Sequence, residues 1–157
     1  MRSLVLALVV SLAACGEPAV DLSLPAREEG AQVADLAGVL DAGQVQSRLE
    51  EVADAGTDIV ALTYETEQAS CGEAFRAGAQ FVTAWDADIA VVAVARPGDF
   101  DATGDDRVRC LGVQPRDQRS VGGDLRERIA EELVPPLAAE NDWTGAFTTA
   151  IDALAAR

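Results

Sequence analysis

The chain has 157 residues, about one domain's worth, with 12 Arg and neither Lys nor His. A Ser-His-Asp or Cys-His site, a Schiff-base or phosphate-loop lysine and an imidazole-bearing zinc site are thereby excluded, which leaves carboxylate, hydroxyl, thiol, arginine and backbone chemistry. A formal charge of −15 repels a phosphate backbone and an anionic lipid surface alike, so the reading admits no nucleic acid and no charge-driven membrane adhesion.

Arg2 precedes an apolar run from Leu4 to Leu12, shorter than the ~20 residues of a spanning helix and suited to the core of a signal peptide. The run ends in Leu12-Ala13-Ala14-Cys15, which resembles the lipobox of bacterial lipoproteins. That resemblance implies removal of residues 1–14 and a lipid on the Cys15 sulfur, so the membrane becomes a partner through the anchor. The alternative is an ordinary signal peptide cut at small residues, with Cys15 unmodified; in either case the protein is expected outside the cytoplasm. A chain starting at Cys15 keeps 157 − 14 = 143 residues and, without Arg2, a charge of −16. Two thiols remain, Cys71 and Cys110, in a compartment that permits oxidation, and they are expected to pair. The rival reading makes Cys71 a reactive thiolate at the start of a helix, where the dipole lowers a thiol pKa.

Residues 15–32 carry two prolines, two glycines and an acidic pair without a sustained period, and read as a tether to a domain over 33–157. Asp41 with Gln44 has the form of a capping box, and Val45, Leu49 and Val52 follow at helical spacing until Gly56. Asp58 to Tyr64 is short, apolar and β-branched, which predicts a buried strand. Ser70 with Glu73 caps a second helix that buries Phe75, Ala79 and Val82 on one face and Ala74, Gly78, Phe81 and Trp85 on the next. Gly78 costs that helix about 1 kcal/mol unless a neighbour packs closely there. Asp88 to Ala95 is a near-continuous apolar run, the central strand of a sheet covered on both faces. An acidic loop, Arg96 to Asp106, leads to an antiparallel return over Arg107 to Val113. Asp124 to Glu127 caps a third helix that Pro135 and Pro136 kink or end, and a fourth starts near Asn141-Asp142 and buries Trp143, Phe147, Ala150 and Leu154. The expected fold is α/β, a small three-layer sandwich with a mixed sheet in the order α-β-α-β-β-α-α.

Several of these segments together resemble the TPM domain, a family of extracytoplasmic or lumenal α/β domains that includes thylakoid-lumen acid phosphatases. The resemblance rests on Val33-Ala-Asp35-Leu-Ala-Gly38-Val-Leu40, the strand from Ile89, Asp106-Arg107-Val-Arg109, Asp124, and Asn141-Asp-Trp-Thr-Gly145. It implies an accessory or binding role for a lipid-anchored module of the envelope, with an envelope protein as partner, or a metal-dependent phosphatase.

The candidate sites follow from charge. Asp99, Asp101, Asp105 and Asp106 surround Gly104 in the loop leaving the central strand, where open α/β sheets place ligands, and Ca²⁺ or Mg²⁺ is the natural guest. The twelfth position is Cys110 instead of a bidentate glutamate, so the loop is not an EF-hand. The resemblance adds Asp35 to Asp99, Asp101 and Asp106 as a metal ligand; its alternative role is to close the turn before the first helix. The loop's alternative role is a solvated acidic connection. From Arg107 to Arg128, six arginines face Asp117, Asp124 and Glu127, a local balance of 6 − 3 = +3 in an acidic chain. In the phosphatase version Arg107 and Arg109 steady a phosphate beside the metal; otherwise the arginines pair with neighbouring acids.

Overall fold

A computed structural model describes residues 20–157. The expected signal peptide over 1–14, the lipid site at Cys15 and the first residues of the expected tether lie outside the described residues. The elements run β1 (Val33–Asp35), α1 (Ala42–Ala53), β2 (Ile59–Glu65), α2 (Cys71–Ala84), β3 (Ile89–Ala95) and β4 (Arg109–Pro115). After them come α3 (Gly123–Arg128), a π-helical turn (Ile129–Leu133), α4 (Pro135–Ala139) and α5 (Trp143–Ala155). The sheet is mixed, in the order β1-β2-β3-β4, with the first three strands parallel and β4 antiparallel.

Period-2 alternation divides the core in two. Ile59 and Ala61 of β2 and Ile89, Val91, Ala93 and Ala95 of β3 face α1, α5 and the α3–α4 region. Val60, Leu62 and Tyr64 of β2 and Ala90, Val92 and Val94 of β3 face α2. The result is three layers, helices on both faces of one sheet, and the apolar run of β3 is covered on both sides as a central strand requires.

The capping signals place the helices. Asp41 Oδ1 accepts from Gln44 N at 3.0 Å and Ser70 Oγ from Glu73 N at 3.1 Å. Asp142 Oδ1 accepts from Gly145 N at 2.8 Å, and its carboxylate lies where a Cβ on residue 145 would stand, so a side chain there would displace the capping carboxylate from this position. The third helix departs from expectation. Gly122, not Asp124, is its N-cap; Asp124 lies in the first turn, where a carboxylate still favours the helix dipole. After Arg128 the chain widens into one π turn, with Val134 N donating to Ile129 O at 3.0 Å. Pro135 then begins α4 at a position that needs no N–H, so the prolines restart a helix as well as ending one.

Two further features differ from the expected order. β1 precedes α1; with three residues it is too short for a period to be read, and it exists because Gln32 O and Leu36 N complete its ladder to Ala61 N and Thr63 O. From Val20 onward the expected tether is laid against the domain. Arg27 forms a two-pronged pair with Asp58 at 2.7 and 2.9 Å and donates to Trp85 O at 2.7 Å. Trp85 Nε1 donates to Pro25 O at 2.9 Å, Gln80 Nε2 to Leu22 O at 3.2 Å, and Val20, Leu22 and Leu24 join the core on the α2 side. Composition reads as loop here because the segment has no regular structure, yet side chains distant in sequence satisfy its backbone.

Cys71 and Cys110 are joined as expected, with Cα atoms 5.1 Å apart, which ties the first turn of α2 to β4. The reactive-thiolate reading of Cys71 is thereby set aside. Beyond the bridge, α2 lies close on β4: a Cβ on Gly78 would come within 2.6 Å of Gln114 Cβ, and Phe75 covers Gly112.

Candidate functional site

The C-terminal ends of the three parallel strands, with the start of β4, gather most of the residues singled out by sequence. Asp35 is there, but its carboxylate is held by the protein. Oδ1 accepts from Val39 N at 3.1 Å and Oδ2 from Leu40 N at 3.0 Å, and the Thr63 hydroxyl donates to Oδ1 as well. Asp35 therefore closes the turn into α1 and holds it to β2, the structural alternative to a ligand.

The acidic loop also resolves into structure. Asp99 Oδ2 accepts from Arg96 Nε at 2.9 Å and from Val108 N at 2.7 Å. The Val108 amide and then the Arg96 guanidinium hold its carboxyl below the usual carboxylate range. Asp101, Asp105 and Asp106 are exposed. Among the described residues no group of three or more carboxylates or thiols is placed to hold a metal ion. The expected quartet of Asp35, Asp99, Asp101 and Asp106 is corrected accordingly: two members are bonded inward to separate backbone segments and the other two point to solvent, so they do not converge on Ca²⁺ or Mg²⁺.

Arg27, Arg48, Arg76, Arg96 and Arg116 each pair with a carboxylate. Arg107 and Arg109, like Arg119, Arg126, Arg128 and Arg157, form no ion pair among the described residues; the side-chain partners of Arg107 and Arg109 are neutral, and the two converge on one residue. Arg107 Nη1 donates to Ala102 O at 3.0 Å and Asn141 Oδ1 at 3.3 Å. Arg109 Nη1 donates to Asn141 Oδ1 at 2.6 Å and to Asp99 O and Phe100 O at 3.3 Å, and Nη2 donates to Ala138 O. The Arg109 guanidinium also lies over the Trp143 ring, 5.3 Å from its centroid. Burial first, and then the neighbouring Arg107 charge, push the Arg109 guanidinium below its ordinary value, although Asp99 opposes the shift; so basic a group stays charged at neutral pH.

Asn141 is the residue that brings the two arginines together. It sits at φ +61°, a left-handed conformation that Asn tolerates. From there its amide oxygen accepts from both guanidinium groups while Nδ2 donates to Asp101 O and Ala102 O. In the sequence Asn141 reads as a helix start and Trp143 as core, and both belong to the motif that resembles the TPM domain, but neither is marked there as a site residue. An Asn directly before a capping Asp is the one local signal for it, because the left-handed turn needs such a residue.

The two arginines stand at one end of a cleft of about 280 Å³, lined further by Cys110, Leu111, Val134, Pro135, Ala138, Ala139 and Trp143. Its walls are apolar and its charged groups are both cationic. Larger hollows lie elsewhere on the surface, but in one of them Arg48 already pairs with Glu51 and Asp152. On the opposite face of the sheet the Tyr64 phenol, raised above its ordinary value by burial and then by the Glu73 charge, faces an ion pair of Glu73 with Arg76. No protein-family model matches the chain, and no curated protein is significantly similar to it.

Proposed function

We propose that this chain is an extracytoplasmic binding module of a bacterial envelope, anchored through an acylated Cys15, whose ligand presents an anionic group to Arg107 and Arg109. One observation carries the binding reading. In a chain of charge −15, two guanidinium groups converge on the single amide oxygen of Asn141 and line one cleft with apolar side chains. The two like charges repel, which the nearby Asp99 charge only partly offsets at Arg109; an added anion relieves that repulsion, and a planar guanidinium suits a carboxylate or phosphate. The Cys71–Cys110 bridge supports the oxidising compartment that the lipobox-like start implies. The three-layer α/β arrangement supports the TPM-like reading of the domain, with an envelope protein as partner.

A phosphatase reading gains no comparable support. Its metal would need carboxylates gathered around it, and Asp35 and Asp99 are instead bonded to backbone amides.

Thermal melting of the full chain in detergent, with sodium phosphate against sodium chloride at matched ionic strength, tests the site. A ligand bound only by the native state at ten times its dissociation constant adds about 1.4 kcal/mol, so the melting temperature should rise by several degrees. The rise should vanish in Arg107→Gln, whose Nε and Nη2 meet no acceptor among the described residues. An equal rise in both proteins, or none in either, removes the reading.

A further inference from the structure

Arg107 and Arg109 are not equivalent in the cleft they line. Arg109 gives Nη1 to Asn141 Oδ1, Asp99 O and Phe100 O and Nη2 to Ala138 O, and its guanidinium lies over the Trp143 ring, so it is a fixed charge. Arg107 is held through Nη1 alone, by Ala102 O and Asn141 Oδ1. Its Nε and Nη2 meet no acceptor among the described residues. Those two groups share one edge of the guanidinium plane, and their parallel N–H bonds match the two oxygens of a carboxylate.

The rest of the lining bears on what that carboxylate is attached to. Pro135 and Ala139 are exposed and Ala138 is half-buried, so α4 borders the cleft with small apolar side chains, while Leu111, Val134 and Trp143 line it from the core. Leu111 and Val113 are buried, so β4 presents no strand edge to a peptide. No acidic side chain is among the lining residues, and Asp99, whose charge reaches Arg109, is bonded to Arg96 and the Val108 amide. A ligand amine would therefore meet two guanidinium charges and no partner. The volume of about 280 Å³ lies just below that of drug-sized sites, at roughly 300 Å³ and above, and suits a smaller molecule.

We propose that the cleft takes a small apolar monocarboxylate, an aryl- or branched-alkyl acid without an amino group, with its carboxylate forked on Arg107 Nε and Nη2 and its apolar body against Pro135, Ala138 and Ala139. This rests on the anionic-ligand reading above and names its ligand class. Inorganic phosphate carries the charge without the body and would leave those side chains in water. Burial adds roughly fourfold in affinity per CH₂, so a body that covers only two carbons already separates such an acid from acetate by more than about tenfold. Asn141 holds both guanidinium groups in place, so little side-chain freedom remains to be lost on binding.

The test is calorimetric titration of the full chain in detergent with acetate, 3-phenylpropanoate, 3-phenylpropanamide and phenylalanine, with Arg107→Gln titrated alongside to subtract uptake by micelles. 3-Phenylpropanoate should bind at least tenfold tighter than acetate, and at least tenfold tighter than phenylalanine, which differs from it by the amine alone. Arg107→Lys, which keeps the charge and loses the fork, should weaken it at least fivefold. Ala139→Phe, which fills the α4 side of the cleft, should weaken it at least fivefold more than it weakens acetate. Equal affinity for acetate and 3-phenylpropanoate, an amide that binds as tightly as the acid, or an Arg107→Lys protein that binds as tightly as the parent overturns the proposal, and a melting shift with phosphate then leaves the anion cleft standing. If phosphate gives no shift and no carboxylate binds, both readings fall.

Discussion

Gly78→Ala separates helix propensity from packing at the α2–β4 contact. In an isolated helix the change is stabilising by about 1 kcal/mol. Here the new Cβ would stand 2.6 Å from Gln114 Cβ, 3.2 Å from its Cγ and 3.5 Å from Val92 Cγ2. Gln114 Cβ is fixed to a strand that the disulfide and the β3 ladder hold in place, so the neighbour cannot swing aside. Overpacking of this kind costs about 1 to 3 kcal/mol, and the upper half applies when the clash is with a Cβ. The net effect should be a loss of about 1 to 2 kcal/mol in urea unfolding at unchanged slope. Gly43→Ala is the control, because its Cβ would meet only Asp41 Oδ1 at 3.5 Å; it should gain a few tenths of a kcal/mol to about 1. Because a glycine inside a strand is itself costly, the relief is read as coupling: Gln114→Gly should cost about 1 kcal/mol less in the Gly78→Ala background than in the parent, whereas Gln114→Ala, which keeps the Cβ, should show no such coupling. A Gly78→Ala protein as stable as the parent would refute the packing argument.

Reduction of the Cys71–Cys110 bridge, which closes a separation of 39 residues, should cost about 4 kcal/mol in the chain-entropy description, checked by urea melts with and without reductant; a difference under about 1 kcal/mol would contradict it. Asp99 is held below its ordinary value, so its native state binds a proton less readily than the unfolded chain does. Its hydrogen bonds therefore contribute fully above the unfolded value of about 3.9 and are lost as pH falls through the lower native value. The stability gap between the parent and Asp99→Asn should close over that acid range, and a gap constant from pH 6 to pH 2.5 would rule this out. Arg27→Met removes the partner of Asp58 and should open residues 20–31 to limited proteolysis while the domain stays folded; an unchanged digestion pattern would show that the segment does not depend on this pair.

The elements with a strong local signal were legible in the sequence. Asp41, Ser70 and Asp142 announced their helices because a short polar side chain before an apolar period has one favourable role. β3 announced its central place by being apolar throughout, and the two cysteines left after Cys15 had one partner each. What escaped depends on contacts distant in sequence. β1 is three residues whose ladder partners lie some thirty positions away, and the clamp of Arg27 on Asp58 and Trp85 joins segments that share no pattern. The candidate site was read by charge, which found Arg107 and Arg109 but credited the carboxylates with a metal. Charge alone cannot tell an aspartate bonded to two amides, as Asp35 is, from one open to a cation. Asn141 escaped because a neutral amide carries no such signal, although it is the group on which both arginines converge.

The docked segment also changes what an anchor at Cys15 implies. A tether over 15–32 could reach about 60 Å when fully extended, at roughly 3.5 Å per residue, leaving the domain free to turn above the membrane. With Val20 in the α2-side core and Arg27 clamped at Asp58, only the span from Cys15 to Val20 remains, a reach of about 18 Å. The hydrogen bonds of Gln80 to Leu22 and of Trp85 to Pro25 run the segment back along α2 from its C-terminal end, so Val20 leaves toward the end of the sheet that carries the disulfide. An acylated chain would thus hold the domain within a short reach of the bilayer. An anionic ligand of the arginine cleft would then be captured best close to the same membrane, because a short anchor concentrates the cleft in that layer.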